Sequence, residues 1–140
     1  IEQVAREFAV FHQDALLPHF RHEEEWLLPR YLRHVSADDP DLIRLLTEHV
    51  VLHKLILDLG HAVRDGGELV PALTALTDRL EAHVRFEERE LFPKIEAALT
   101  PDELRDLGEQ FWADAQEAIV IPGGDGCRVK ISGMDSPETG

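Results

Sequence analysis

One segment of this chain occurs twice. His19-Phe20-Arg21-His22-Glu23-Glu24-Glu25-Trp26-Leu27-Leu28-Pro29 returns as His83-Val84-Arg85-Phe86-Glu87-Glu88-Arg89-Glu90-Leu91-Phe92-Pro93, with the histidine, the first arginine, two glutamates, one leucine and the proline in register. Each copy sets a His and a Glu four residues apart, so on a helix both side chains leave one face and can close on one ion. Between the copies lies a third pair at the same spacing, His49 and His53. Three pairs of metal-capable side chains on three helical segments constrain the chain to a helix bundle around a polynuclear metal site.

The position of these pairs on their helices separates them from coincidence. The stripe Leu69, Leu73, Leu76, Leu80 continues at helical spacing into His83, Glu87 and Leu91. The same walk reads Val4, Phe8, His12, Ala15, His19, Glu23, Leu27 in the first helix and Leu42, Leu46, His49, His53, Ile56, Gly60 in the second. The pairs therefore face inward. An ionised carboxylate without a partner in such a core costs several kcal/mol or takes up a proton. No Lys or Arg shares these stripes, so the two glutamates demand cations of another kind. Glu24, Glu25, Glu88 and Glu90 fall off the stripe and read as solvated surface. His22, which matches Phe86 across the repeat, reads as a neighbour packed beside the site. His12 faces inward but stands about 10 Å from His19 along the axis, which suits a buried supporting residue better than a ligand.

The elements follow from local signals. Residues 1 to about 35 form the first helical stretch, in which Pro18 and Pro29 each remove a backbone donor and predict bends. Asp39-Pro40 opens a second helix that ends at Gly66-Gly67. A third runs from about Glu68 to Leu99. Thr100-Pro101-Asp102-Glu103 is a capping-box pattern that starts a fourth, with Leu104, Leu107 and Phe111 on its apolar face. The organisation expected is a helical bundle over residues 1–119 and a Gly/Pro-rich tail over 120–140, with at most a short strand at Cys127 to Ile131. The chain enters a helical pattern at Ile1 without a cap, which suggests a preceding piece.

Charge and composition narrow the function classes. Acidic residues number 28 against 14 basic ones, a formal net charge of -14, which repels phosphate backbones and anionic headgroups; neither nucleic acid nor membrane is an expected partner. The apolar stretch from Val50 to Leu59 is interrupted by His53, Lys54 and Asp58, as suits a core helix rather than a membrane span. Cys127 is the only cysteine, and a reducing cytoplasmic home is the easier reading. No thiolate cluster argues for copper(I) or iron–sulfur chemistry; imidazoles with carboxylates suit iron, manganese or zinc. No nucleophile, base or oxyanion-hole motif supports hydrolytic or transferase chemistry.

The ordered pairs His19/Glu23, His49/His53 and His83/Glu87, with the Glu-Glu-x-x-Leu-Phe-Pro continuation, resemble the last three helices of a bacterial hemerythrin-like (HHE cation-binding) domain over about residues 1–118. The resemblance implies an all-α fold, an up-down four-helix bundle around a non-haem di-iron centre. It assigns His49, His53 and His83 to one iron, His19 to the other, and Glu23 and Glu87 to bridges between them. One departure stands out: the family's first helix supplies a further histidine, and nothing upstream of His19 lies at the distance to replace it. Either a segment before Ile1 carries that helix, or the domain has lost the ligand, or a second copy swaps a helix in, as a homodimer. Asp114 and Gln110 of the fourth helix are weaker substitutes. An iron left with open positions takes dioxygen, peroxide, nitric oxide or azide. The resulting expectation is a di-iron protein that binds O2 or a related diatomic for storage, carriage or sensing. The alternatives are an enzyme reacting with peroxide or nitric oxide, and a sensor whose metal state acts on the tail.

Overall fold

The structure, a computed structural model, describes residues 1–117. Four helical rods make up the described chain. The first joins α1 (Glu2–Phe11), α2 (Leu17–His22) and α3 (Leu28–Tyr31) through π-helical turns at His12–Leu16 and Glu23–Leu27. The second is α4 (Pro40–Asp65). The third joins α5 (Leu69–Phe86) and α6 (Phe92–Ala98) through a π-helical turn at Glu87–Leu91, and the fourth is α7 (Pro101–Glu117). Successive rods run antiparallel: Asp41 meets Lys94 while Glu48 meets His83 between the second and third, and His34 meets Glu103 while His22 meets Asp114 between the first and fourth. The architecture is the up-down four-helix bundle expected from the pattern. The expected tail from residue 120, the strand at Cys127 to Ile131 and the last turn to residue 119 lie outside the described residues.

Capping groups set several boundaries. Asp39 accepts a hydrogen bond from the Leu42 amide at 3.1 Å, with Pro40 in the first turn of α4. At the other end Gly66 takes φ 68°, the left-handed conformation that ends a helix at little cost to glycine. Thr100 and Glu103 close a reciprocal capping box, the Thr100 amide donating to Glu103 at 2.8 Å and the Glu103 amide to the Thr100 hydroxyl at 3.2 Å.

The rods continue through the prolines, at which the sequence predicts bends. Pro18, Pro29 and Pro93 each follow a π-helical turn at the same offset. The amides of Leu17, Leu28 and Phe92 reach back five residues, to the carbonyls of His12, Glu23 and Glu87. The wider turn absorbs the proline inside a continuing helix. It also adds a residue to the turn, which shifts the phase of everything before it. The straight-helix walk placed Val4 inside, but Val4 is exposed and Ala5 is buried. Leu46, also expected inside, lies exposed on α4.

Two apolar clusters fill the bundle. One, at the end closed by α7, gathers Leu27, Leu28, Tyr31, Leu45, Phe86, Leu91, Ile95 and Leu107 from all four rods. The other gathers Ala5, Leu16, Phe20, Leu52, Ile56, Leu59 and Leu76 from the first three. Between them, at one level of the bundle, lie the buried polar residues Glu23, His49, His83 and Glu87.

Candidate metal centre

Three rods contribute to this level. The first carries His19 and Glu23, α4 carries His49, and the third carries His83 and Glu87. Both glutamates open a π-helical turn; an extra residue there re-aims the side chain relative to a regular helix. One ligand atom each from Glu23, His49, His83 and Glu87 lie within 4.8 Å of one another, and all four residues are buried. His19 sits at their edge, its Nε2 2.5 Å from Glu23 and 3.8 Å from Glu87, and it retains 12% side-chain exposure against 4% or less for the other four.

The polar atoms at the centre approach without pairing. His49 Nε2 lies 3.1 Å from Glu23 and His83 Nε2 2.5 Å from Glu87. Yet both nitrogens, both Glu23 oxygens and Glu87 Oε1 lack a hydrogen-bond partner. The separations are short but the alignment of a hydrogen bond is missing, so lone pairs point at shared space instead of at one another. Leaving so many buried polar atoms unsatisfied is costly. A cation in that space satisfies them together, and neutral imidazole with carboxylate is a donor set for iron, manganese or zinc.

The outer nitrogens of the same rings are fully engaged. His49 Nδ1 meets Glu24 at 2.8 Å and His83 Nδ1 meets Glu48 at 2.7 Å. A carboxylate on Nδ1 fixes the ring and directs the Nε2 lone pair inward, the arrangement found behind most metal-binding histidines. Arg44 in turn holds Glu48 at 3.0 Å and lies over the Phe86 ring at 3.9 Å, whereas Glu24 has no such cation among the described residues. Sequence reasoning placed Glu24 on a solvated face and passed over Glu48. The pairings join different helices, so no spacing within one helix reveals them. The available signal was that each inward histidine needs an acceptor for its second nitrogen.

Electrostatics account for the charge that two buried carboxylates require. Burial alone lowers the His19 pKa, but the Glu23 and Glu87 carboxylates outweigh it and hold it at about 10. His83 is raised against its burial by Glu87 and then Glu48. Burial works to raise Glu23, and the imidazoles of His19 and His49 bring it down to about 2. Without metal, protons on His19 and His83 balance the carboxylates; a cation would take over that role by displacing them.

Of the six residues singled out by spacing, the structure gathers His19, Glu23, His49, His83 and Glu87. His53 stands one turn along α4, edge-on to Phe20 at 5.4 Å and to His12 at 5.8 Å between ring centroids. Phe20 stacks on His49 at 4.0 Å and meets His83 edge-on at 5.7 Å, so one ring packs against all three imidazoles. His22 stacks on Trp26 at 4.1 Å and meets Asp114 at 3.0 Å. Asp114 is thus engaged with His22, while Gln110 Oε1 is buried without a partner.

A family model described as Hemerythrin HHE cation binding domain matches residues 2–95. No curated protein matches the chain, and no solved structure does.

Proposed function

The chain belongs to the hemerythrin HHE cation-binding domain family, and from that premise we propose that it is a di-iron protein binding O2 or a related small diatomic for storage, carriage or sensing. Metal binding itself rests on the family together with the buried His/Glu cluster. The observation that carries the reading is the set of buried, unpartnered atoms on Glu23, His49, His83 and Glu87.

His49 and His83 would hold one metal with the two glutamates, and His19 the other; manganese or zinc suits the same donors. His53, one turn along α4 from His49, would complete the first of these two metal positions by the family resemblance. Two iron ions would supply the redox and small-ligand chemistry. The chain supplies the rest: Glu23 and Glu87 offer oxygens to both positions, Glu24 and Glu48 orient the imidazoles, and Phe20 with the flanking leucines keeps water out. His19 is the most exposed of the five, so its side is the route by which a small ligand arrives. No helix among the described residues is long and apolar enough to cross a membrane, and the net charge of -14 opposes nucleic acid.

The test is metal content by mass spectrometry together with the ultraviolet-visible spectrum. Two irons per chain and near-ultraviolet bands that move on adding azide are expected. Protein that retains no metal after loading, or bands indifferent to azide, would overturn the proposal.

A further inference from the structure

Ten large apolar side chains are exposed among the described residues, and four of them, Ile43, Leu46, Val50 and Leu57, stand on α4. Each follows directly on a residue buried in the bundle: Leu42, Leu45, His49 and Ile56. The helix therefore carries two stripes at the same steps of three, four and seven residues, the second turned about 100° from the first. Such steps average 3.5 residues, the repeat that keeps one helix in contact with another. The inner stripe meets the first and third rods. The outer one stays 40% exposed at Leu46 and 67% at Val50, and an aligned apolar set left open in this way marks a contact surface.

The outer stripe is symmetric about Val50. Ile43 stands seven residues before it and Leu57 seven after; Asp39 lies four before Ile43 and His61 four after Leu57. We propose that this face of α4 docks on the same face of a second copy of the chain, antiparallel, with the two-fold axis at Val50. Each Ile43 then meets the partner's Leu57, and each Leu46 the aliphatic stem of the partner's Lys54. The charges suit that register. Arg64, 3.3 Å from His61, makes the end of the stripe basic, and the antiparallel match sets His61 and Arg64 beside the partner's Asp39. Opposite ends of the two helix dipoles also come together. A parallel match would set like ends against each other. Of the chain's net charge of -14, α4 holds little, with three basic residues against four acidic ones, so two like-charged copies approach here at low electrostatic cost. Four apolar side chains from each copy make a contact at the small end of specific interfaces, so monomer and dimer exchange with concentration. This contact is independent of the identity and number of the metals.

Sedimentation equilibrium of the full chain over a concentration series tests this. The parent's mass should rise from one chain toward two. Val50→Glu sets two carboxylates against each other at the axis and should weaken the dimer about a hundredfold or more; its helical circular dichroism should be unchanged, because Val50 is exposed. Disulfide formation measures the register in a Cys127→Ser background. With oxidised glutathione, Val50→Cys should link two chains at least about tenfold faster than Val70→Cys, an exposed site on α5, because only a residue at the axis comes within disulfide reach of its own copy. A parent that is still monomeric at about 1 mM, or a dimer that survives Val50→Glu, would overturn the proposal. So would equal linking rates at positions 50 and 70.

Discussion

Replacing Glu87 with Gln keeps the size of the side chain and removes one charge and one anionic oxygen from the centre of the bundle. Glu87 is 3% exposed and one of its oxygens lies 2.5 Å from His83 Nε2. Removing one partner of a buried charged contact costs about 3–5 kcal/mol when the other partner stays charged. In the metal-loaded protein that partner is the cation, so the loss falls on metal affinity and amounts to about a hundredfold or more. The consequence is readable as thermal stability. At free metal about 100 times the parent's Kd, binding stabilises the fold by about 2.7 kcal/mol. For a domain of this size each kcal/mol moves Tm by about 3–6 °C, so the parent gains about 8–16 °C on loading. At the same metal concentration the variant is only half saturated and retains about 0.4 kcal/mol, a rise of about 1–3 °C. Scanning calorimetry of both proteins, metal-free and loaded, measures the difference. An equal metal-induced rise in the two would refute the reasoning, because Glu87 would then contribute nothing to holding the ion.

Glu48→Gln weakens the grip on the ring of His83 and should lower metal affinity by about 10–100-fold, by competition with a chelator; Glu24→Gln should do the same through His49. An unchanged affinity in both would deny these carboxylates their orienting role. The pH dependence of the metal-free protein follows from His19. Its folded pKa of about 10 lies above the ordinary histidine value of 6.5, so its contribution to stability is complete below the unfolded value and drains away as pH rises toward the folded one. Urea midpoints of metal-free protein should therefore fall between about pH 6 and pH 9, while metal affinity rises over the same range as protons leave the ligands. A flat urea profile would show that no buried imidazolium balances the carboxylates. Phe20→Ala removes a fully buried ring stacked on His49 and should cost about 3–5 kcal/mol, seen as a lower denaturant midpoint at unchanged m-value.

Much of the scaffold is visible in local patterns. Asp39-Pro40, Gly66 and the Thr100/Glu103 box each act through backbone groups within a few residues, so the letters locate the helix ends. The pairs His19/Glu23 and His83/Glu87 are equally local, since four residues on a helix put both side chains on one face. What escapes is whatever depends on a turn that is not α-helical or on a neighbour from another rod. The π-helical turns are one case: prolines signal a disturbance, but not that it takes the form of an extra residue in the turn, which exchanges Val4 for Ala5 in the core. Glu24 and Glu48 are the other case, found only when the rods are side by side. His49 and His53 share one spacing, and Phe20 from the first rod lies against both. A pattern along α4 carries no information about that ring.

Anomalous diffraction from crystals of iron-loaded protein tests the central claim most directly, because it locates the metal and not merely its amount. Two peaks at the iron edge, lying between Glu23 and Glu87 and within bonding distance of His49 Nε2, His83 Nε2 and His19 Nε2, are predicted. Iron found elsewhere on the chain, with the space among these five side chains filled by water or by direct hydrogen bonds, would contradict the account.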